Sequence, residues 1–179
     1  MNEHLYFTLL PQYQNYILSD ILEEISNEKS EFWYFGGKDL GSGDGFGAGP
    51  LFQCNIDIIK EYCLQESNGC LPYRLAYLAP VFDYSDKSES SFSQFFYWLL
   101  DHFDSFKHQE EILSEFGSNM NSFSWVGSLI PLLEKKIVCL RKLESNTNSI
   151  VKKWVNANIM SISEELRREK NSESYRKLC

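Results

Sequence analysis

The sequence predicts an all-α fold, a multi-helix bundle carrying a Gly-rich loop insertion, and three observations carry that prediction. Apolar residues recur at spacings of three and four through successive segments, the signature of amphipathic helices. No segment alternates with comparable strength, a short extended piece at Phe32–Phe35 being the one candidate strand. Two long helical patterns near the end are separated by six polar residues, Glu144–Ser149, a join that makes them antiparallel neighbours.

The first element lies within residues 3–27, where Leu5, Leu9, Leu10, Tyr13, Ile17, Leu18, Ile21, Leu22 and Ile25 trace one helical face. The pattern is firmest from Gln12 onward. Pro11 suits a first turn, so either the helix starts there or an earlier helical turn ends just before it. The polar cluster Ser26–Ser30 closes the element. Phe32, Trp33, Tyr34 and Phe35 follow, and then seven of the ten glycines fall between Gly36 and Gly49, a density that no regular helix tolerates. Helical spacing resumes over Leu51–Leu64 and stops at the turn signal Asn68-Gly69.

Pro72–Leu78 reads as a short helix with proline at its first position, halted by Pro80. Asp83–Ser91 is a polar loop. In Phe92–Phe103 the residues Phe92, Phe95, Phe96, Leu99, Leu100 and Phe103, widened by Tyr97 and Trp98, make a helix apolar nearly all round and therefore central. Glu110–Phe116 forms a further short helix ended by Gly117, and Ser118–Ser124 forms a polar loop whose Asn119, Asn121, Ser122 and Ser124, with Trp125, suit the capping of the next helix. The final pair occupies Ser128–Leu143, with Pro131 in its first turn, and Ile150–Arg168. A charged tail over Glu164–Lys177 is supported by pairs four apart such as Glu164 with Arg168.

A length of 179 residues is ordinary for one domain, and 43% hydrophobic with 15% aromatic residues is enough to bury a core. The expected organisation is a single helical domain over 1–179, with an N-terminal helix in 1–30, the aromatic and Gly-rich loop in 31–50, central helices in 51–117, and the hairpin with its tail in 118–179. No apolar run reaches the roughly 18 residues of a membrane span. Five cysteines, odd in number, without a C-x-x-C pair and without a secretory signal ahead of them, predict a reduced, cytoplasmic protein. A net charge of −8 disfavours binding to nucleic acid, which draws on phosphate neutralisation by Lys and Arg. That charge is uneven: residues 1–104 hold 5 Lys and Arg against 16 Asp and Glu, whereas 105–179 hold 12 against 9.

The last helix pair, Gly127–Leu143 and Ile150–Leu166, resembles a unit of the HEAT-like helical-repeat family. The similarity rests on a short polar turn, the apolar pair Ile150-Val151, a basic residue at Lys152 or Lys153, and the small Ala157. Ser149 stands where a proline would commonly precede the second helix. The resemblance covers about forty residues and implies a short helical array, or its capping end, that scaffolds a protein partner.

Among candidate sites, Gly41–Gly49 is the one segment with a chemical reading, since successive glycine N–H groups can curl round a phosphate. It lacks the Lys-Ser/Thr of a P-loop and fits no G-x-G-x-x-G register, which favours a solvated or partner-contacting loop. Asp39 and Asp44 offer Mg²⁺ ligands in the enzyme reading and solvating charge in the other. His102 and His108 flank a turn, and Cys63 and Cys70 offer zinc ligands only if the fold gathers them. Small buried hydrophobes are the ordinary reading of Cys54, Cys63 and Cys139. No cofactor is implied.

Two surfaces remain as partner-binding candidates. Phe32, Trp33, Tyr34 and Phe35 are either anchors for a partner or a plug beneath the loop. Lys135, Lys136, Lys152 and Lys153, with Arg141 and Lys142, form either a basic stripe on the hairpin or its solvated outer face. The sequence therefore points to a non-enzymatic protein-binding or scaffolding module, a subunit or terminal segment of a larger bacterial assembly. The alternatives are an acidic inhibitor or immunity-type protein, and a nucleotide-dependent enzyme built on the Gly-rich loop.

Overall fold

The computed structural model describes residues 3–27, 29–30, 49–82, 91–121 and 127–176, with the side chains of 3–8, 11, 175 and 176 outside that description. Among the described residues the fold is all-α, with seven helices and one isolated antiparallel bridge, Phe82 with Phe92. Phe32–Phe35, the glycines from 36 to 47, Asp39 and Asp44 lie outside the described residues.

Helix α1 spans Glu3–Ser26 and buries Leu18, Leu22 and Ile25, spaced four and three apart. It neither begins nor ends at Pro11. It bends two residues later at Tyr13, whose φ of −112° and ψ of 20° leave the helical region. A proline lacks the N–H that an interior turn requires, which makes a bend the ordinary outcome.

The segment expected as one helix from Leu51 to Leu64 divides into a 3₁₀ turn, Pro50–Gln53, and α2, Ile56–Gln65. Asn55 causes the division by capping α2: its side chain accepts from the Asp57 N–H at 3.0 Å, while its own N–H donates to Gln14 Oε1 of α1 at 2.5 Å. Helix α3 spans Cys70–Leu78, starting two residues ahead of Pro72. The first turn of a helix has no internal acceptor for its N–H groups, so proline is accommodated there. Gly69 enters at φ +78°, and a Cβ at this position would stand 3.2 Å from both Lys107 and His108 as well as in a strained backbone conformation. The Glu66 carboxylate accepts from the Gly69 N–H at 2.6 Å, placing negative charge at the start of α3.

Helix α4 covers Gln94–Asp101, shorter than the sequence pattern, because Phe92 joins the bridge to Phe82 and Ser93 caps the helix through the Phe96 N–H at 3.3 Å. A second 3₁₀ turn, Phe103–Ser105, leads to α5, Gln109–Asn121. Gly117 does not end α5, since Phe116 and Met120, four apart, are both buried and carry the helix through it. Asn119 and Asn121 thus lie inside α5, whereas Ser122, Ser124 and Trp125 of the expected capping loop lie outside the described residues. Phe116 stacks on Phe96 with ring centroids 3.7 Å apart, and Phe92 meets both rings edge-on. Helix α3 lies along α5, and α1 packs on α3 and on the first 3₁₀ turn.

Helix α6, Ile130–Arg141, has Pro131 in its first turn as expected, and α7 runs from Ser149 to Arg176. Asn148 caps α7, accepting from the N–H groups of Ile150 at 2.9 Å and Val151 at 3.3 Å. Leu133, Ile137 and Leu140 of α6 and Val151, Val155 and Ile162 of α7 are buried. Lys170 near the far end of α7 bonds Glu134 near the start of α6 at 2.8 Å, as an antiparallel pair requires. The predicted Glu164–Arg168 pair forms at 2.6 Å.

The chain forms two compact units: residues 1–84 with 92–123, and residues 85–91 with 124–179. The first contains α1 to α5 and the second contains α6 and α7. No described helix is long and apolar enough to cross a membrane.

Candidate protein-binding surfaces

The outward side of α1 carries the first surface. After the bend, Tyr16, Asp20, Glu23 and Asn27 are spaced four, three and four apart and share one face, opposite the buried Leu18, Leu22 and Ile25. Tyr16 is 79% exposed and Tyr13, at the bend, 52%. Leu9, one turn before the bend, is exposed as well.

Toward the end of α1 the same side becomes acidic. Asp20, Glu23, Glu24, Ser26 and Asn27 line an open depression of about 420 Å³ that Asn68, from the turn before α3, closes on one edge. No basic residue stands in the last turn of α1. Carboxylates near the negative end of a helix dipole are unfavourable by some tenths of a kcal/mol each. A cation from another element offsets them. Arg74 of α3, only 5% exposed, donates from Nη1 to the carbonyls of Ile25 at 2.5 Å and Asn27 at 2.8 Å. It thereby satisfies the Ile25 carbonyl, one of those that a helix end leaves without internal donors, and joins the Ser30 N–H on that of Asn27.

The second surface is the α6–α7 pair. Of the lysines read as a stripe, Lys152 and Lys153 are exposed, Lys135 is half-buried, and Lys136 is 1% exposed. Lys136 therefore does not belong to an outward stripe. Burial pulls its ammonium pKa down to about 8, partly countered by the Glu165 carboxylate. Arg141 and Lys142 are exposed, as are the apolar side chains of Val138 and Met160, the latter 74%.

The remaining candidates hold structural positions. Cys54, Cys63, Cys70 and Cys139 are free thiols buried in the fold. Burial pushes the Cys54 thiol up to about 11 and raises those of Cys63 and Cys139, which holds them protonated. His102 Nδ1 lies 3.0 Å from the Trp98 carbonyl, and His108 meets the Tyr73 ring edge-on and Glu111 at 3.6 Å. Among the described residues no three His, Cys, Asp or Glu side chains converge as a metal would require.

Sequence reasoning missed the face of α1 and the arginine beneath it. The signal for Arg74 was present: a lone cation between Leu71, Leu75 and Leu78, at the spacing of core positions. The exposure of Tyr13 had no such signal, since it fits the apolar periodicity of its helix, whereas Tyr16 stands off that face in the sequence pattern.

Comparison of the chain with protein-family models, curated proteins and solved structures returns no match.

Proposed function

We propose that the chain is a non-enzymatic helical protein-binding module, a subunit or terminal segment of a larger assembly. The observation that carries this reading is the pair of tyrosine rings exposed on the outward face of α1, Tyr13 and Tyr16. Tyrosine supplies a large contact area at little conformational cost and is enriched among the residues that dominate binding energy. The α6–α7 pair, taken as a HEAT-like unit, offers a second contact region through Lys152, Lys153 and the exposed Met160.

A second reading, an acidic inhibitor of a basic protein, is favoured by one observation, the carboxylate-lined depression at the end of α1. Both readings describe protein binding and differ in the partner: a stable companion in one, a basic enzyme in the other.

The deciding experiment is a tagged pull-down from the native host at physiological salt, with and without nuclease, read by mass spectrometry. A stoichiometric protein partner that survives nuclease supports the module, and a basic enzyme as that partner selects the inhibitor reading. Recovery of the chain alone overturns both.

A further inference from the structure

We infer that the outward face of α1 is a docking site for a cationic amphipathic helix of a partner protein, an inference that rests on the protein-binding reading and names the partner's chemistry. The face is graded along its length. Leu9, Tyr13 and Tyr16 are exposed at one end, and Asp20, Glu23 and Glu24 stand at the other. From Tyr13 to Asn27 the span is roughly 20 Å at 1.5 Å per residue, which four turns of a partner helix cover.

Charge selects the occupant. The acidic end has no basic residue in the last turn of α1, so a partner's cation is attracted by the exposed carboxylates of Asp20, Glu23 and Glu24. Arg74, buried beneath the helix end with its Nη1 donating to the carbonyls of Ile25 and Asn27, offsets the dipole there, while Asp20, Glu23 and Glu24 stand exposed on the outward side. An Arg or Lys side chain entering the depression is attracted by the carboxylates of Asp20, Glu23 and Glu24 that line it, beside the amides of Asn27 and Asn68. The tyrosine rings accept either apolar side chains or the flat of a guanidinium. A second copy of the chain fits less well, because each copy carries a net charge of −8 and repels the other at long range. A helix with apolar residues three and four apart, followed by cations over its last two turns, matches both ends of the face at once.

The test uses the full chain and three labelled 18-residue peptides. The first places Leu at helical spacing with Arg filling the rest of one end. The second has the same composition in an order that breaks the apolar face, and the third replaces Arg with Glu. Fluorescence anisotropy gives the affinities, and amide chemical-shift mapping gives the location. The inference expects the first peptide to bind with shifts centred on residues 13–27 and the other two to bind at least tenfold more weakly. Asp20→Asn with Glu23→Gln and Glu24→Gln should weaken the first peptide tenfold or more, and Tyr16→Ala about fivefold, with circular dichroism unchanged. These four positions are exposed, so the variants keep the core intact.

Equal binding of the scrambled peptide, shifts centred elsewhere, or undiminished binding by the folded variants overturns the inference. The native-host pull-down, repeated with the same variants, separates the two levels. A stoichiometric partner recovered equally by wild type and variants keeps the binding module and removes this face as its site. No partner from wild type, beside specific binding of the first peptide, removes the module and leaves the chemistry of the face.

Discussion

Arg74 and Lys136 are both cations held inside the fold, and their surroundings give them opposite consequences. Arg74 donates to two main-chain carbonyls at the end of α1. Arg74→Leu takes a donor from both carbonyls, of which Asn27 keeps the Ser30 N–H, and should lower the unfolding free energy by roughly 1–3 kcal/mol, read by urea denaturation. Arg74→Lys should recover only part of it, because an ammonium lacks the planar fork. For Lys136 burial disfavours the charged form, with deprotonation near pH 8 in the folded chain against 10.5 in the unfolded one. Between those values the unfolded chain binds more protons, so this residue makes stability rise with pH across that window, and its full cost is present below it. Lys136→Met should therefore stabilise the protein at pH 7 by roughly 1–3 kcal/mol and flatten that rise, as denaturation at pH 7 and pH 9.5 would show. Both positions were legible in part. Lys136 stands three from Leu133 and four from Leu140, a core spacing that outranks the charge when the aliphatic stem can be buried.

Helices were recoverable from the sequence, and their ends less so, for reasons particular to each end. Asn55 and Ser93 divide apolar runs that periodicity alone joins into longer helices, because a side-chain cap outcompetes continuation. Gly117 failed to stop α5, since the roughly 1 kcal/mol that glycine costs a helix is smaller than the gain from burying Met120 one turn later. Asn148 is the cap whose removal is easiest to measure. It serves two N–H groups of α7, so Asn148→Ala should cost about 1 kcal/mol in thermal or urea unfolding, with Asn148→Asp close to wild type. At the bend of α1, Tyr13 fits the apolar periodicity yet stands in solvent. A pattern that counts residues at a constant 100° each cannot register a change of direction, and the proline two residues earlier was its only trace.

For the molecule as a whole, class was the most legible property, because a chain with several strong three-and-four periodicities and no comparable alternation leaves few other ways to bury its apolar surface. The full extent of the outward face of α1 was less so, since it depends on which parts of a helix the rest of the chain covers, and that is decided by contacts between residues far apart in sequence. The uneven charge gave a hint: the acidic part of the chain contains the acidic depression. What the two compact units do with the helices they contain differs as well. In the first unit α3 lies against α1 and α5, whereas the second contains the antiparallel pair of α6 and α7.

Helix α3 is fastened from both ends and from its middle. Lys107 reaches the Ser67 carbonyl ahead of it, Asn119 donates to the Ala79 carbonyl behind it at 2.5 Å, and Arg74 ties its centre to α1. Seven of its nine residues are buried, so opening it to solvent requires the helices packed on it, α1 and α5, to move away. In deuterated water the amide protons of Leu75, Ala76 and Leu78 should consequently be the last of the first unit to exchange, and Arg74→Leu should shorten their lifetimes more than those of α2. A short segment of mediocre intrinsic helicity thus becomes the slowest clock in its unit, timed by the opening of everything around it.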